Sequence, residues 1–338
     1  TNTPGVLTDA TADLTLALLL AAARELCGDP GARIRAWRDL ARLGSARAWG
    51  RGGAHGVELL ALEPRTATEV SAERETRHIE GGAGAGAELA ATLRELRASG
   101  RTGVDLILGP GVYEAEQVNS SCPVEVSGLR IIGAAAPGGA PVELRMGFHV
   151  GQSRGVVFEN VDILASGTTA LILTGSEVVL RGCRLRGRDT CIMTTDSDIL
   201  LDRCEVLPPT SGRLVYSLRS SGRGAVLVRA SLLAAGSLSI MGDTRCFMER
   251  SVLSAGTRNA IEGGRSGRVV LVNCLIESSM SGLSNVAEAL LEGVVVRCGR
   301  GLIQTAAGPI RICPEHVLGL GSQSQTSPEQ LEYCPLSR

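Results

Sequence analysis

A repeat constrains this chain more than any other feature. From residue 157 the strings VFENVDI (157–163), VLRGCRL (179–185), LLDRCEV (200–206), VLVRASL (226–232), FMERSVL (247–253), VLVNCLI (270–276) and LLEGVVV (290–296) stack on one another, and PIRIC (309–313) makes a last turn. One column of the stack reads Val161, Cys183, Cys204, Ala230, Ser251, Cys274, Val294 and Cys313, at intervals of 19–26 residues. A second β-like run follows each string, as in ALILT (170–174), CIMTT (191–195), LVYSL (214–218) and LSIM (238–241). Turn residues such as Ser176, Asp196-Ser197-Asp198 and Gly263-Gly264 separate the runs. A unit this short, with strand patterning and no helical phase, cannot bury an apolar face alone. Stacked units can, and the expected architecture is a parallel β-helix of about eight coils.

Stacking also explains the composition. Identical positions of successive coils touch at about 4.8 Å, so the core column must be small and apolar. Accordingly, only 2% of the 338 residues are aromatic, while 44% are hydrophobic. The cysteines in the column read as small buried hydrophobes rather than as a thiol site. None of the 10 cysteines forms a CxxC pair and no His stands at ligand spacing, so a metal centre is not expected. A reduced, cytoplasmic protein is. The run 14–23 is apolar enough for the core of a signal peptide but lacks a basic stretch before it. No apolar run approaches the roughly 20 residues a membrane-spanning helix needs. With 34 Lys+Arg against 35 Asp+Glu the net charge is -1, which argues against a chain built to coat nucleic acid. Every basic residue is Arg, a uniform habit that lowers the meaning of any single one.

Ahead of the repeat stand Ile79-Glu-Gly-Gly-Ala-Gly-Ala-Gly86, a helix-like stretch 87–99, the strand-like Val104-Asp-Leu-Ile-Leu108 and Gly109-Pro-Gly-Val-Tyr113. Val124-Glu-Val126 and Gly128-Leu-Arg-Ile-Ile-Gly133 follow. The Leu-Gly-Pro-Gly-Val-Tyr run and these two strings resemble the first coils of right-handed β-helices of the pectin-lyase-like superfamily, over about 78–318. The resemblance implies a mainly β fold: a right-handed, single-stranded parallel β-helix with a capping helix at its N-terminal end. It does not imply one activity, because that superfamily holds polysaccharide lyases and hydrolases alongside non-catalytic modules. Gly82, Gly84 and Ala87 also fit G-x-G-x-x-A. A dinucleotide site would need a buried strand before it, and residues 73–78 are polar, so this run reads as a flexible Gly-Ala linker.

Residues 1–77 form an Arg-rich, helical N-terminal segment in this reading, and 319–338 a C-terminal tail. Residues 1–26 resemble a segment of D-2-hydroxyacid dehydrogenases, but no Gly loop or catalytic residue of that family follows. Ile34, Trp37, Leu40 and Leu43 recur at helical spacing, with Arg33, Arg35, Arg38, Arg42, Arg47 and Arg51 around them. Packing of this amphipathic helix on a neighbour is favoured over contact with nucleic acid.

Stacking turns outward positions into columns. Glu159, Arg181, Asp202 and Asp162, Arg184, Glu205 read as ladders of alternating charge, structural in purpose. A third column reads Glu177, Asp198, Gly224, Arg245 and Arg268, with Asp196 beside it. Carboxylates plus Arg on one face could supply an acid or base and a cation for an acidic sugar. Glu177, Asp196, Asp198, Arg245 and Arg268 are therefore the candidate catalytic residues. Glu177 and Asp198, one coil apart, could share a Ca²⁺ if the chain is a lyase; no other cofactor is expected. Asp-Ser-Asp is also ordinary turn chemistry. The leading expectation is a non-catalytic module that binds a glycan or protein along one solenoid face. A polyuronate lyase or hydrolase is the alternative, and a dehydrogenase remnant in 1–26 the third.

Overall fold

The computed structural model describes residues 74–300 apart from 115–120, 135–140, 166–168, 210–214, 235 and 265. Beyond these it describes the strands Ile303–Ala306, Ile310–Ile312, Val317–Gly319 and Leu331–Tyr333. All belong to one compact unit, Val57–Arg338. The readings made on 1–73, the dehydrogenase-like segment included, lie outside the described residues.

Short runs in this chain turn every second side chain into the main core. In Glu177–Arg181, Val178 and Leu180 join the main core while Glu177 and Arg181 stay half-buried on the other face. Such strands assemble into three parallel sheets of twelve, ten and nine members. The first sheet runs through Glu75–Ile79, Val104–Leu108, Arg130–Gly133, Val156–Glu159, Glu177–Arg181, Asp198–Asp202, Arg223–Arg229, Asp243–Glu249, Arg268–Val272, Glu288–Glu292, Ile310–Ile312 and Leu331–Tyr333. From Val104 onward the chain lays one strand in the first, second and third sheet in turn, and each circuit is one coil. Parallel connections of this kind are right-handed in nearly all cases. The chain is the right-handed parallel β-helix that the repeat and the resemblance lead one to expect. The eight rungs legible in the repeat are joined in the first sheet by strands at 75–79, 104–108 and 130–133 before them and 331–333 after.

The helix Ala85–Ser99 packs Leu89, Leu93 and Leu96 into the core against the strands Glu75–Ile79, Gly111–Glu114 and Ser121–Val124. The Gly-Ala run before it is not a flexible linker. Gly84 caps the helix with a left-handed φ of 83°, and a Cβ on Gly86 would stand 2.0 Å from the Glu114 carbonyl oxygen. The polar residues ahead of it are a strand too: Glu75–Ile79 pairs in parallel with Val104–Leu108 and buries only Ile79.

The core column holds, with one correction. At the turn between the first and second sheets the residues are Val161, Cys183, Cys204, Ser231, Ser251, Cys274 and Val294, all buried. Ser231 and not Ala230 fills the place. Each Ser or Cys there caps a carbonyl two residues back, as Ser231 Oγ does to Arg229 (2.6 Å) and Cys274 Sγ to Val272 (3.3 Å). Described cysteines carry free thiols, and Cys183, Cys191, Cys204, Cys246, Cys274 and Cys298 are buried.

The alternating ladders are present. Glu159, Arg181 and Asp202 stand in register, and Arg229 and Glu249 extend the alternation. Arg184 grips the Asp162 carboxylate with both Nε and a terminal guanidinium nitrogen. Between the charged columns of the first sheet runs an outward apolar column of Val179, Leu200, Leu227 and Phe247, separate from the main core. No helix among the described residues is long and apolar enough to cross a membrane.

Candidate functional site

Where the third sheet turns into the first, three successive coils repeat one local sequence: Gln152-Ser153-Arg154, Gly175-Ser176-Glu177 and Asp196-Ser197-Asp198. The first residue of each takes a left-handed φ, of 49°, 58° and 49°. The serine turns inward and becomes one rung of a buried ladder. Ser153 N–H donates to Ser176 Oγ (3.2 Å), and Ser176 N–H to Ser197 Oγ (3.1 Å). Every hydroxyl donates to a nearby carbonyl, as Ser197 Oγ does to Thr195 (2.7 Å). With the middle residue fixed, the third is held outward; Glu177 and Asp198 stand opposite each other, and Arg154 lies beside Glu177, with Gly155 between it and the strand Val156–Glu159.

The next coil closes the site by inserting one residue. Gly222-Arg223-Gly224-Ala225 replaces the three-residue turn, so Gly224 stands in the serine row and Ala225 in the charged column. No side chain fits at 224, where a Cβ would lie 2.2 Å from the Ser197 carbonyl oxygen. Both aspartates then reach across the coil boundary. Asp196 Oδ1 accepts the Arg223 backbone N–H at 2.8 Å, and Asp198 Oδ1 accepts that of Ala225 at 2.7 Å.

The result is an open polar cleft of about 290 Å³, lined by Arg154, Gly175, Ser176, Glu177, Asp196, Asp198, Arg223 and Gly224. Arg154 is 81% exposed and its Nε lies 3.9 Å from Glu177 Oε1. Glu177 and Asp198 face each other in register. Among the described residues no group of three or more His, Cys, Asp or Glu is placed to hold a metal ion.

Three of the five candidate residues, Glu177, Asp196 and Asp198, thus share one cleft. Arg245 and Arg268 are not in its lining. They continue the same column beyond it, Arg245 opposite Ala225 and Arg268 opposite Arg245. Register corrects the column itself, since Gly224 pairs with Thr244 and the place between Asp198 and Arg245 belongs to Ala225. Arg245 is exposed, whereas Arg268 makes an ion pair with Glu288 at 3.3 Å. Sequence reasoning missed Arg154 and Arg223. Arg154 was visible in principle, because it follows Ser153 as Glu177 follows Ser176.

Cleft and coil together define a parallel β-helix with a charged edge. No protein-family model matches the chain, and no curated protein is similar to it in sequence. Among solved structures it is similar to pectate lyase Pel9A at 12% identity and a TM-score of 0.39, covering 70% of this chain and 78% of that one. It is similar to ORF18 of Geobacillus virus E2 at 10% and 0.41, over 72% and 62%. The A-module of the Azotobacter vinelandii mannuronan C-5 epimerase AlgE4 follows at 10% and 0.35, over 76% and 95%. Likeness this low decides nothing about activity, and the fold rests on the strand pairing described above.

Proposed function

We propose that the chain is a non-catalytic recognition module that binds a glycan or protein along the solenoid edge carrying Arg154, Glu177, Asp196, Asp198 and Arg223. The observation behind this is the use of both aspartates as backbone acceptors across the coil boundary. A carboxylate so engaged locks the edge in one shape, which suits recognition better than proton transfer. Guanidinium donors and carboxylate acceptors side by side offer hydrogen bonds of both polarities to hydroxyl-rich or charged ligands. Titration of a panel of neutral and acidic oligosaccharides against the protein, and against an Arg154→Ala, Glu177→Gln, Arg223→Ala variant, tests the reading. Expected is binding without product formation, weakened at least about tenfold in the variant. Equal binding by the variant would refute the assignment of the edge.

The second reading is a polyuronate lyase or hydrolase, favoured by the gathering of Glu177, Asp196 and Asp198 in one cleft. In that reading Glu177 and Asp198 would hold any Ca²⁺, though two facing carboxylates alone make a poor cation site. Release of unsaturated or reducing ends from polyuronate, abolished by Asp198→Ala together with Arg245→Ala, would establish it over the module.

A further inference from the structure

Charge along the edge column follows an order that the alternating column of the same sheet lacks. Elsewhere on the first sheet's outer face charged neighbours alternate, as in Glu159, Arg181, Asp202, Arg229 and Glu249. The edge column instead sets Glu177 against Asp198, then Ala225, then Arg245 against Arg268. Like charges opposite each other on neighbouring strands are destabilising. Counter-charges at the two ends relieve this only in part. Arg154 lies 3.9 Å from Glu177, and Glu288 lies 3.3 Å from Arg268. Arg245 is exposed and makes no ion pair or hydrogen bond among the described residues.

From Arg154, beside the first rung, to Glu288 at the far end the signs run plus, minus, minus, neutral, plus, plus, minus. Reversing the direction of this column inverts every sign. A two-fold axis at Ala225 would therefore set Glu177 and Asp198 of one copy against Arg268 and Arg245 of the other, with Arg154 against Glu288. Rungs spaced at about 4.8 Å keep all positions in phase, since both copies carry the same spacing. Closed pairing through one self-complementary patch is what a two-fold dimer requires.

We infer that the edge column is a self-association surface whose partner is a second copy of this chain, docked antiparallel about Ala225. The inference rests on the reading of this edge as a binding face and names its occupant. Contact built on a narrow charged strip gives a weak dimer, disrupted by salt.

Sedimentation equilibrium of the full chain at low and high ionic strength tests it, with two variants. Glu177→Arg with Asp198→Asn leaves no negative rung before Glu288, and keeps an acceptor for the Ala225 amide. Arg245→Glu with Arg268→Glu leaves no positive rung after Arg154. Expected is a dimer at about 50 mM salt that dissociates near 500 mM. Each variant alone should self-associate at least about 100-fold more weakly. An equimolar mixture of the two should restore a heterodimer, which also proves that both variants fold. A monomeric wild type at low salt, or variants that dimerise as well as wild type, overturns the inference, as does failure of the mixture to pair while both variants keep the wild-type circular dichroism. If the monomer nonetheless binds an oligosaccharide through Arg154 and Arg223, the recognition reading stands without the dimer. If it binds none, both fall.

Discussion

At the turn between the first and second sheets one residue per coil is left-handed: Asn160, Gly182, Arg203, Ala230, Arg250, Asn273 and Gly293, with φ between 46° and 61°. Gly takes this conformation freely and Asn tolerates it, whereas other side chains pay about 1 kcal/mol or more. Ala230 has φ 46° and no polar side chain to compensate. Ala230→Gly is expected to stabilise the fold by about 0.5–1 kcal/mol, raising the thermal midpoint by about 1–3 °C. An unchanged or lowered midpoint would mean that this corner does not strain alanine. The opposite holds at Gly224, where alanine would collide with the Ser197 carbonyl and the midpoint should fall sharply. These two residues also mark where the sequence misled. Val226-Leu227-Val228 is apolar throughout, so its pattern accepts a one-residue slip, and only Arg229 between Asp202 and Glu249 pins the register.

At the level of elements, the strands were legible because their short apolar runs recur every coil. The helix was legible from Leu89, Leu93 and Leu96, but its start was not. Glycines at 81, 82, 84 and 86 look like a linker in composition, while two of them are dictated by contact. At Gly81 a Cβ would meet the Pro110 carbonyl oxygen at 2.2 Å, and Gly86 meets that of Glu114. Such approaches are tertiary and leave no local signature. The same holds for the cleft, since the extra residue in Gly222-Arg223-Gly224-Ala225 acquires meaning only against the coil before it. The helix buries Leu93 to 1% exposure against the first coil. Leu93→Ala should cost about 2–5 kcal/mol. Because sheet edges uncovered by such a loss invite intermolecular pairing, the variant should also aggregate on heating. Reversible unfolding at the wild-type midpoint would show that the helix is dispensable to the coil.

For the molecule as a whole, the absence of lysine leaves an unusual alkaline titration. Guanidinium groups keep their charge throughout, so the surface ladders do not weaken between pH 8 and 12. Cysteines and tyrosines are the side chains left to titrate. Burial pushes the Cys191 and Cys274 thiols up to about 12 and that of Cys246 higher still. In the unfolded chain a thiol ionises near 8.5. Above that pH the unfolded state has released protons that the folded state retains, so stability falls as pH rises through the window from about 8.5 to 12. Each such thiol contributes a loss of about 1.4 kcal/mol per pH unit there. Burial raises the Cys122, Cys204 and Cys298 thiols as well, and together these losses are enough to unfold a domain of ordinary stability within two or three units. Tyr113, pushed to about 12 by burial, adds to the same slope above pH 10. Denaturant unfolding of wild type and of Cys191→Ala with Cys274→Ala, measured at intervals from pH 8 to 11, checks this. The variant begins less stable because two cavities are opened, but its decline with pH should be shallower by about 3 kcal/mol per unit, the share of the two thiols removed. Equal slopes would show that alkaline unfolding of this solenoid does not start from the ionisation of these buried thiols.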